Sequence, residues 1–410
     1  MSTSSVQKTQ LENGVRILCE PITHVESAAV GIWCQTGSRM ENDGEAGISH
    51  LIEHMMFKGT SKRTAKQIAE AIEGRGGHLN AFTDREVTCY YARVLKDDVD
   101  NCIEVLSDML TNSLFADNDL ALEKRVVQEE IKKYNDSPED QIHDLHAQHR
   151  WGEHPLGKPI IGTHESVGSF QADNIRTYMK RRYVANRVVV SVAGNVDPSA
   201  VVSGAREQLG GINGTVELPS STPPSAKPGE KRITKDVEQV HFCIGADVVN
   251  ALSEDRFTCV VLDAVLGGSM SSRLFQEIRE KRGLAYAIGS YLSLYREAGA
   301  YTIYGGTNPE QYEQVCELSR KELAKIASDG VPEEELDRTK KMISGEMVLG
   351  LEGMSARMTR MARSELVYGR DVPIEEVLER VNKVTPHDLQ TIASEYLAAD
   401  RLVTTAVGPF

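Results

Sequence analysis

No stretch of this 410-residue chain approaches the about 18 consecutive apolar positions needed for a membrane-spanning helix. The first ten residues are polar and show no charged segment leading into an apolar one, so a secretory leader is not expected either. Cysteine is sparse and unpatterned: Cys19, Cys34, Cys89, Cys102, Cys243, Cys259 and Cys316 are seven in number, with no C-x-x-C pair. An odd, scattered set excludes a disulfide framework and a cysteine-rich zinc cluster. Several lie in strand-like apolar runs, which reads as buried free thiols in a reducing compartment and points to the bacterial cytoplasm. A surplus of basic charge is missing too. Lys and Arg total 46 against 60 Asp and Glu, a formal charge of −14, so a nucleic-acid partner is not expected. The acidity would suit basic peptides if it lined a cavity, or serve solubility alone. Nucleotide loops are also absent. Gly267-Gly268-Ser269 fits neither G-x-G-x-x-G nor G-x-x-x-x-G-K-[ST] and reads as a tight turn.

What is present is an ordinary globular composition, 40% hydrophobic and 26% charged, in a chain too long for one core. Residues 210–231 are rich in Gly, Pro, Ser and Thr around Leu218-Pro219-Ser220-Ser221-Thr222-Pro223-Pro224, the composition of an interdomain linker. The spacing predicts strands over 14–21 and 27–36, a helix over 64–73, a hairpin of 79–83 and 87–94 about Asp84-Arg85, and helices over about 96–113 and 117–134. A loop-rich region follows, and residues 187–196 form a β-branched strand. After the linker the order restarts: strand 239–247, helices 255–266 and 272–281, a hairpin of 286–294 and 300–304, then long helices and a last strand at 401–407. The expected fold class is α+β, built from two similar halves, each a mostly antiparallel sheet covered by helices. The domains divide as 1–210, a linker at 211–231, and 232–410.

The chemistry-bearing stretch is Gly47-Ile48-Ser49-His50-Leu51-Ile52-Glu53-His54-Met55-Met56-Phe57. As a helix it places His50 and His54 on one face, one turn apart, with Glu53 at the border of the same spot. Two imidazoles beside a carboxylate describe a zinc site and a base for its water, and H-x-x-E-H is the inverzincin pattern. Such a histidine pair alone is commonly just surface. A second segment bears on the choice. In 117–134, Leu120, Val127, Ile131 and Tyr134 form an apolar stripe that also takes in Glu123 and Glu130, seven residues apart. Carboxylates among apolar residues need a metal or a cationic partner.

Glu130 follows His54 by 76 positions. On that motif and spacing the chain resembles, over nearly its whole length, the pitrilysin, insulinase and mitochondrial-processing-peptidase group of zinc metallopeptidases, in particular the bacterial processing-peptidase-like branch. The resemblance implies His50, His54 and Glu130 as ligands of one Zn2+ per chain, Glu53 as general base, and Glu123 as a supporting glutamate. It implies metal-assisted peptide hydrolysis, with Glu53 taking the proton of a zinc-bound water and passing it to the leaving amine. The second half has no H-x-x-E-H; there the resemblance points to Arg279 and Tyr286, seven apart, as the pair that holds substrate and steadies the oxyanion.

Gly76-Gly77-His78-Leu79-Asn80-Ala81-Phe82-Thr83 reads as a strand able to offer a free edge to an extended peptide, or as a plain hairpin strand. The resemblance places substrate beside Asn80, Ala81 and Phe82. It also implies a chamber of four such halves, hence a homodimer or a heterodimer with a paralogue, enclosing a peptide or unfolded polypeptide. Members of the group that have lost the metal act as scaffold or binding subunits; the intact motif set separates this chain from them. His143, His146 and His149 mimic a second metal cluster. At i, i+3, i+6 the outer two stand about 120° apart around a helix and share no tight face, so they are expected as polar surface or a helix near the cleft.

Overall fold

In the computed structural model, which describes residues 6–218 and 222–410, strand formation follows the β-branched runs. β1 (Gln7–Gln10), β2 (Arg16–Pro21), β3 (Ser27–Cys34), β4 (His78–Thr83), β5 (Thr88–Leu95) and β6 (Val188–Gly194) form one sheet, ordered β1-β2-β6-β3-β5-β4. β7 (Gly229–Thr234), β8 (Val240–Val248), β9 (Ala285–Leu294), β10 (Gly299–Thr307) and β11 (Val403–Gly408) form a second, ordered β7-β11-β8-β10-β9. Omitting β1, the two orders are the same. The directions match as well: β2 with β6 and β7 with β11 are parallel, and every other pair is antiparallel. The expected α+β duplication is therefore present as topology.

The compact units are not the two contiguous halves. One comprises the described residues up to Lys132, those from Pro159 to the linker, and Gly350–Asp371; the other comprises Lys133–Lys158, the residues from the linker to Leu349, and Val372–Phe410. A division at 210 and 232 thus misplaces two segments. Pro219-Ser220-Ser221, the centre of the expected linker, and the first five residues lie outside the described residues, and Gly229–Lys231, counted as linker, is the start of β7.

Period-two alternation sorts each sheet's side chains to two faces. In the first sheet Val30, Ile32, Tyr90, Ala92, Val190 and Val192 join the core formed with α1 (Ile48–Met55), α2 (Ala65–Ile72) and α3 (Val99–Asn112). Ala29, Trp33, Cys89 and Val189 pack on the other side with Met354, Met358, Met361 and Leu366 of helix Met354–Tyr368. Burial on both faces explains why β6 is apolar at nearly every position. In the second unit Phe242, Ile244, Ile303 and Ala406 line the larger core, while Cys243 and Val407 meet Ile142 of the helix Pro138–Trp151. All seven cysteines are free and buried.

Residues 135–186 are not loop-rich. They hold α4 (Asp117–Asp136) at its end, α5 (Pro138–Trp151), and helices His164–Ser169 and Ala172–Arg182. Ser137 caps α5 by accepting from the Asp140 amide, with Pro138 in the first turn. The expected helix 272–281 contains a π-helical turn, Phe275–Glu280. No helix among the described residues is long and apolar enough to cross a membrane.

Candidate metal centre

α1 is oriented by its apolar face. Ile48, Leu51, Ile52 and Met55 are buried, so His50, Glu53 and His54 turn the opposite way. Its start is set by Gly47, whose φ of +87° favours glycine; a Cβ there would also come within 2.7 Å of the Ile161 carbonyl oxygen. The Glu41 carboxylate accepts from the Gly47 and Ser49 amides, each at 2.9 Å, satisfying first-turn donors of α1.

The His50 and His54 rings stand edge to face with centroids 4.7 Å apart. Glu130 Oε2 of α4 lies 3.9 Å from His50 Nε2 and 3.6 Å from His54 Nε2. One ligand atom from each of the three residues falls within 4.8 Å of the other two, the single such His/Cys/Asp/Glu group among the described residues. Burial, then the neighbouring His54, holds His50 down at about 4, so at neutral pH it is the uncharged imidazole that metal coordination requires. Two imidazole nitrogens and a carboxylate suit Zn2+.

His54 Nδ1 lies 3.2 Å from Glu123 Oε2, leaving its Nε2 toward Glu130. Glu123 is buried within the α4 stripe of Leu120, Val127 and Ile131, and Lys58 pairs with its other oxygen at 2.6 Å. Glu130 departs from expectation: its side chain is 46% exposed. The buried stripe continues through Ile131, which puts Glu130 about 100° round the helix, at the margin. Glu123 touches a candidate ligand and a lysine; it supports the cluster from behind.

Glu53 Oε2 accepts a 2.5 Å hydrogen bond from the Thr83 hydroxyl at the end of β4. Burial pushes the Glu53 carboxyl above its usual range, and the Thr83 bond and His54 pull it partly back. Among the described residues β4 is the edge of its sheet, pairing with β5 alone. Along it Asn80 accepts from the Ala81 amide, Ala81 packs toward the α1 side, and Phe82 points to the other face, against Trp33 and Tyr91 at 5.5 and 6.2 Å. Phe82 is thus a packing residue, turned to the face opposite Ala81.

Arg279 and Tyr286 belong to the other unit. There the Arg279 guanidinium stands 4.9 Å from the centroid of the Tyr286 ring and 4.7 Å from that of Phe275, while Tyr286 is 82% exposed. The three histidines of α5 are not brought together as a metal-ligating group among the described residues. His143 bonds Tyr291, and His146 and His149 share the Thr405 hydroxyl at 3.0 and 2.9 Å. His146, expected as polar surface or part of a helix near the cleft, lies on a helix but is buried against its sheet, and accepts from Arg150 at 2.6 Å. Gly245 permits this, since a Cβ there would lie 2.1 Å from the arginine nitrogen.

Two functional neighbours went unread in the sequence, Lys58 and Thr83. Thr83 shares the face of Ala81 by alternation, a faint signal, whereas Lys58 lies beyond the end of α1, where helical spacing carries none.

Residues 16–164 match the model of the insulinase family, peptidase family M16, and residues 169–343 match the peptidase M16 inactive domain. An uncharacterized zinc protease of Bacillus subtilis, YmxG, is 40% identical over 96% of both chains. Another of Streptomyces coelicolor is 39% identical over 99% of this chain and 90% of its own. Among solved structures, a protease from Helicobacter pylori shares the fold at a TM-score of 0.91, with 21% identity over 99% of this chain and 100% of that one. A peptidase M16 inactive domain structure from Pseudomonas fluorescens does so at 0.92, with 19% identity over 99% and 98%. With both family models matched in order along its length and full-length relatives named as zinc proteases, the chain belongs to peptidase family M16.

Proposed function

We propose that this chain is a zinc-dependent endopeptidase acting on peptides and unfolded segments. The observation that carries the reading is the convergence of His50, His54 and Glu130 within 4.8 Å, with Glu53 held beside them by Thr83. His50, His54 and Glu130 would hold the ion. Zinc bound there supplies Lewis acidity, polarising a carbonyl and making water a better acid.

Glu53 then serves as the general base, taking the proton of the attacking water and returning it to the leaving amine. A carboxyl raised above its normal range by burial is suited to both halves of that exchange. The free edge of β4 offers backbone groups to an extended substrate beside Asn80 and Ala81, which favours unfolded chains. Arg279, partly buried, and Tyr286, exposed, form a donor pair fit to grip a peptide carbonyl and stabilise an oxyanion. Enclosure of the substrate by a second copy of the chain completes the proposal.

The test is cleavage of a basic, unstructured peptide of about twenty residues by wild type and Glu53→Gln, with zinc measured in both. Chelator-sensitive cutting by wild type, lost by at least the roughly 100-fold typical of a missing general base while zinc stays bound, is the expected result. Undiminished turnover in Glu53→Gln would sink the base assignment, and absence of zinc would sink the whole reading.

A further inference from the structure

We infer that Thr83 is a positioning residue for Glu53, and that its hydroxyl selects which carboxylate oxygen receives the proton. The inference rests on Glu53 being the base. Thr83 Oγ1 lies 2.5 Å from Glu53 Oε2. A threonine hydroxyl has one proton, and its other neighbour here, Thr88 Oγ1, is 3.5 Å away and already donates to the Thr36 carbonyl at 3.0 Å. The Thr83 proton is therefore committed to Glu53. Among the described residues no side chain donates a hydrogen bond to Oε1, so one oxygen is tethered and the other remains for the reaction.

The tether comes from an unusual place. Thr83 ends β4, whose outer edge is unpaired among the described residues, and Glu53 sits on α1 across from it. Glutamate has three rotatable side-chain bonds, and a partly buried one with no tether still samples several geometries. The Thr83 bond removes that freedom in advance of substrate, the kind of preorganisation on which proton transfer depends. It also makes the base sensitive to the strand: a peptide that pairs along β4 holds the residue that aims Glu53. Substrates long enough to occupy the edge should then react faster as well as bind better.

The experiment compares Thr83→Val, Thr83→Ser, Glu53→Gln and the Thr83→Val/Glu53→Gln double variant, reading kcat, KM and bound zinc on one peptide. Valine keeps the branched shape that a strand favours, and serine keeps the hydroxyl. Expected are a 10- to 100-fold fall in kcat for Thr83→Val with KM within twofold and zinc unchanged, recovery to within about threefold in Thr83→Ser, and no further loss when Thr83→Val is added to Glu53→Gln. A Thr83→Val enzyme with wild-type kcat, or with its loss confined to KM, overturns the inference while leaving the role of Glu53 intact. An active Glu53→Gln enzyme would instead remove the base itself, a separate failure.

Discussion

Lys58 Nζ lies 2.6 Å from Glu123 Oε1, and the same carboxylate reaches His54 Nδ1 through its other oxygen at 3.2 Å. A buried charge is thereby paired on one side and put to use on the other. The lysine gives Glu123 a cationic partner among Leu120, Val127 and Ile131, and the glutamate fixes the ring of His54 with Nε2 outward. Lys58→Met is expected to weaken zinc binding by about tenfold, the lower end of what loss of an outer partner costs a metal site. Competition with a chromogenic chelator at neutral pH measures this. Affinity equal to wild type would reduce the pair to packing.

Glu130→Gln should cost more, since it replaces a candidate ligand. After dialysis against chelator, the variant should retain little zinc under conditions where wild type keeps most of its own, a loss above the roughly 100-fold reached by outer-partner mutations. Equal metal content in the two would exclude Glu130 from the coordination set.

How far such a centre is legible in sequence depends on what fixes each residue. His50, Glu53 and His54 are set by helical period alone, and Glu130 by a family spacing. Lys58 and Thr83 matter through what stands opposite them, which the linear pattern does not show. The same holds for the fold. The apolar run of β6 announced a strand covered on two faces, yet nothing in it names the covering helix as Met354–Tyr368. The extent of α5 was lost in a region that reads as loop-rich because its inward face carries His146 and Arg150 beside Ile142. A helix that docks through polar groups on Thr302 and Thr405 leaves no apolar period, although Ser137-Pro138 marked its start.

Met358 tests that cover directly. Its sulfur accepts from the Trp33 indole at 3.3 Å on the second face of the first sheet, and its side chain is buried. Met358→Ala should lower unfolding stability by about 2–5 kcal/mol in urea titration. A change below about 1 kcal/mol would show the helix to be loosely held.

His146 should leave a mark on stability against pH. Burial, with Arg150 adding to it, holds the imidazole well below its ordinary 6.5. The unfolded chain therefore binds a proton below about pH 6.5 that the folded chain refuses. The stability this group contributes is complete above that pH and declines as the pH falls. His146→Gln, which can still accept from Arg150, should flatten the decline between pH 6.5 and 5.5 by about 1 kcal/mol in urea titrations at each pH. Parallel curves for the two proteins would rule the group out as the source.

The chain changes unit after Lys132, after Lys158, in the linker, after Leu349 and after Asp371. Each unit thus borrows a helix encoded in the other half of the gene. Cutting the polypeptide at the linker would not yield two self-sufficient pieces, because the first fragment would lack the cover for Trp33 and the second the cover for Cys243. The two fragments should behave as a split protein, each unable to mature alone and restored by co-expression. The ancestral duplication can no longer be undone by a single break.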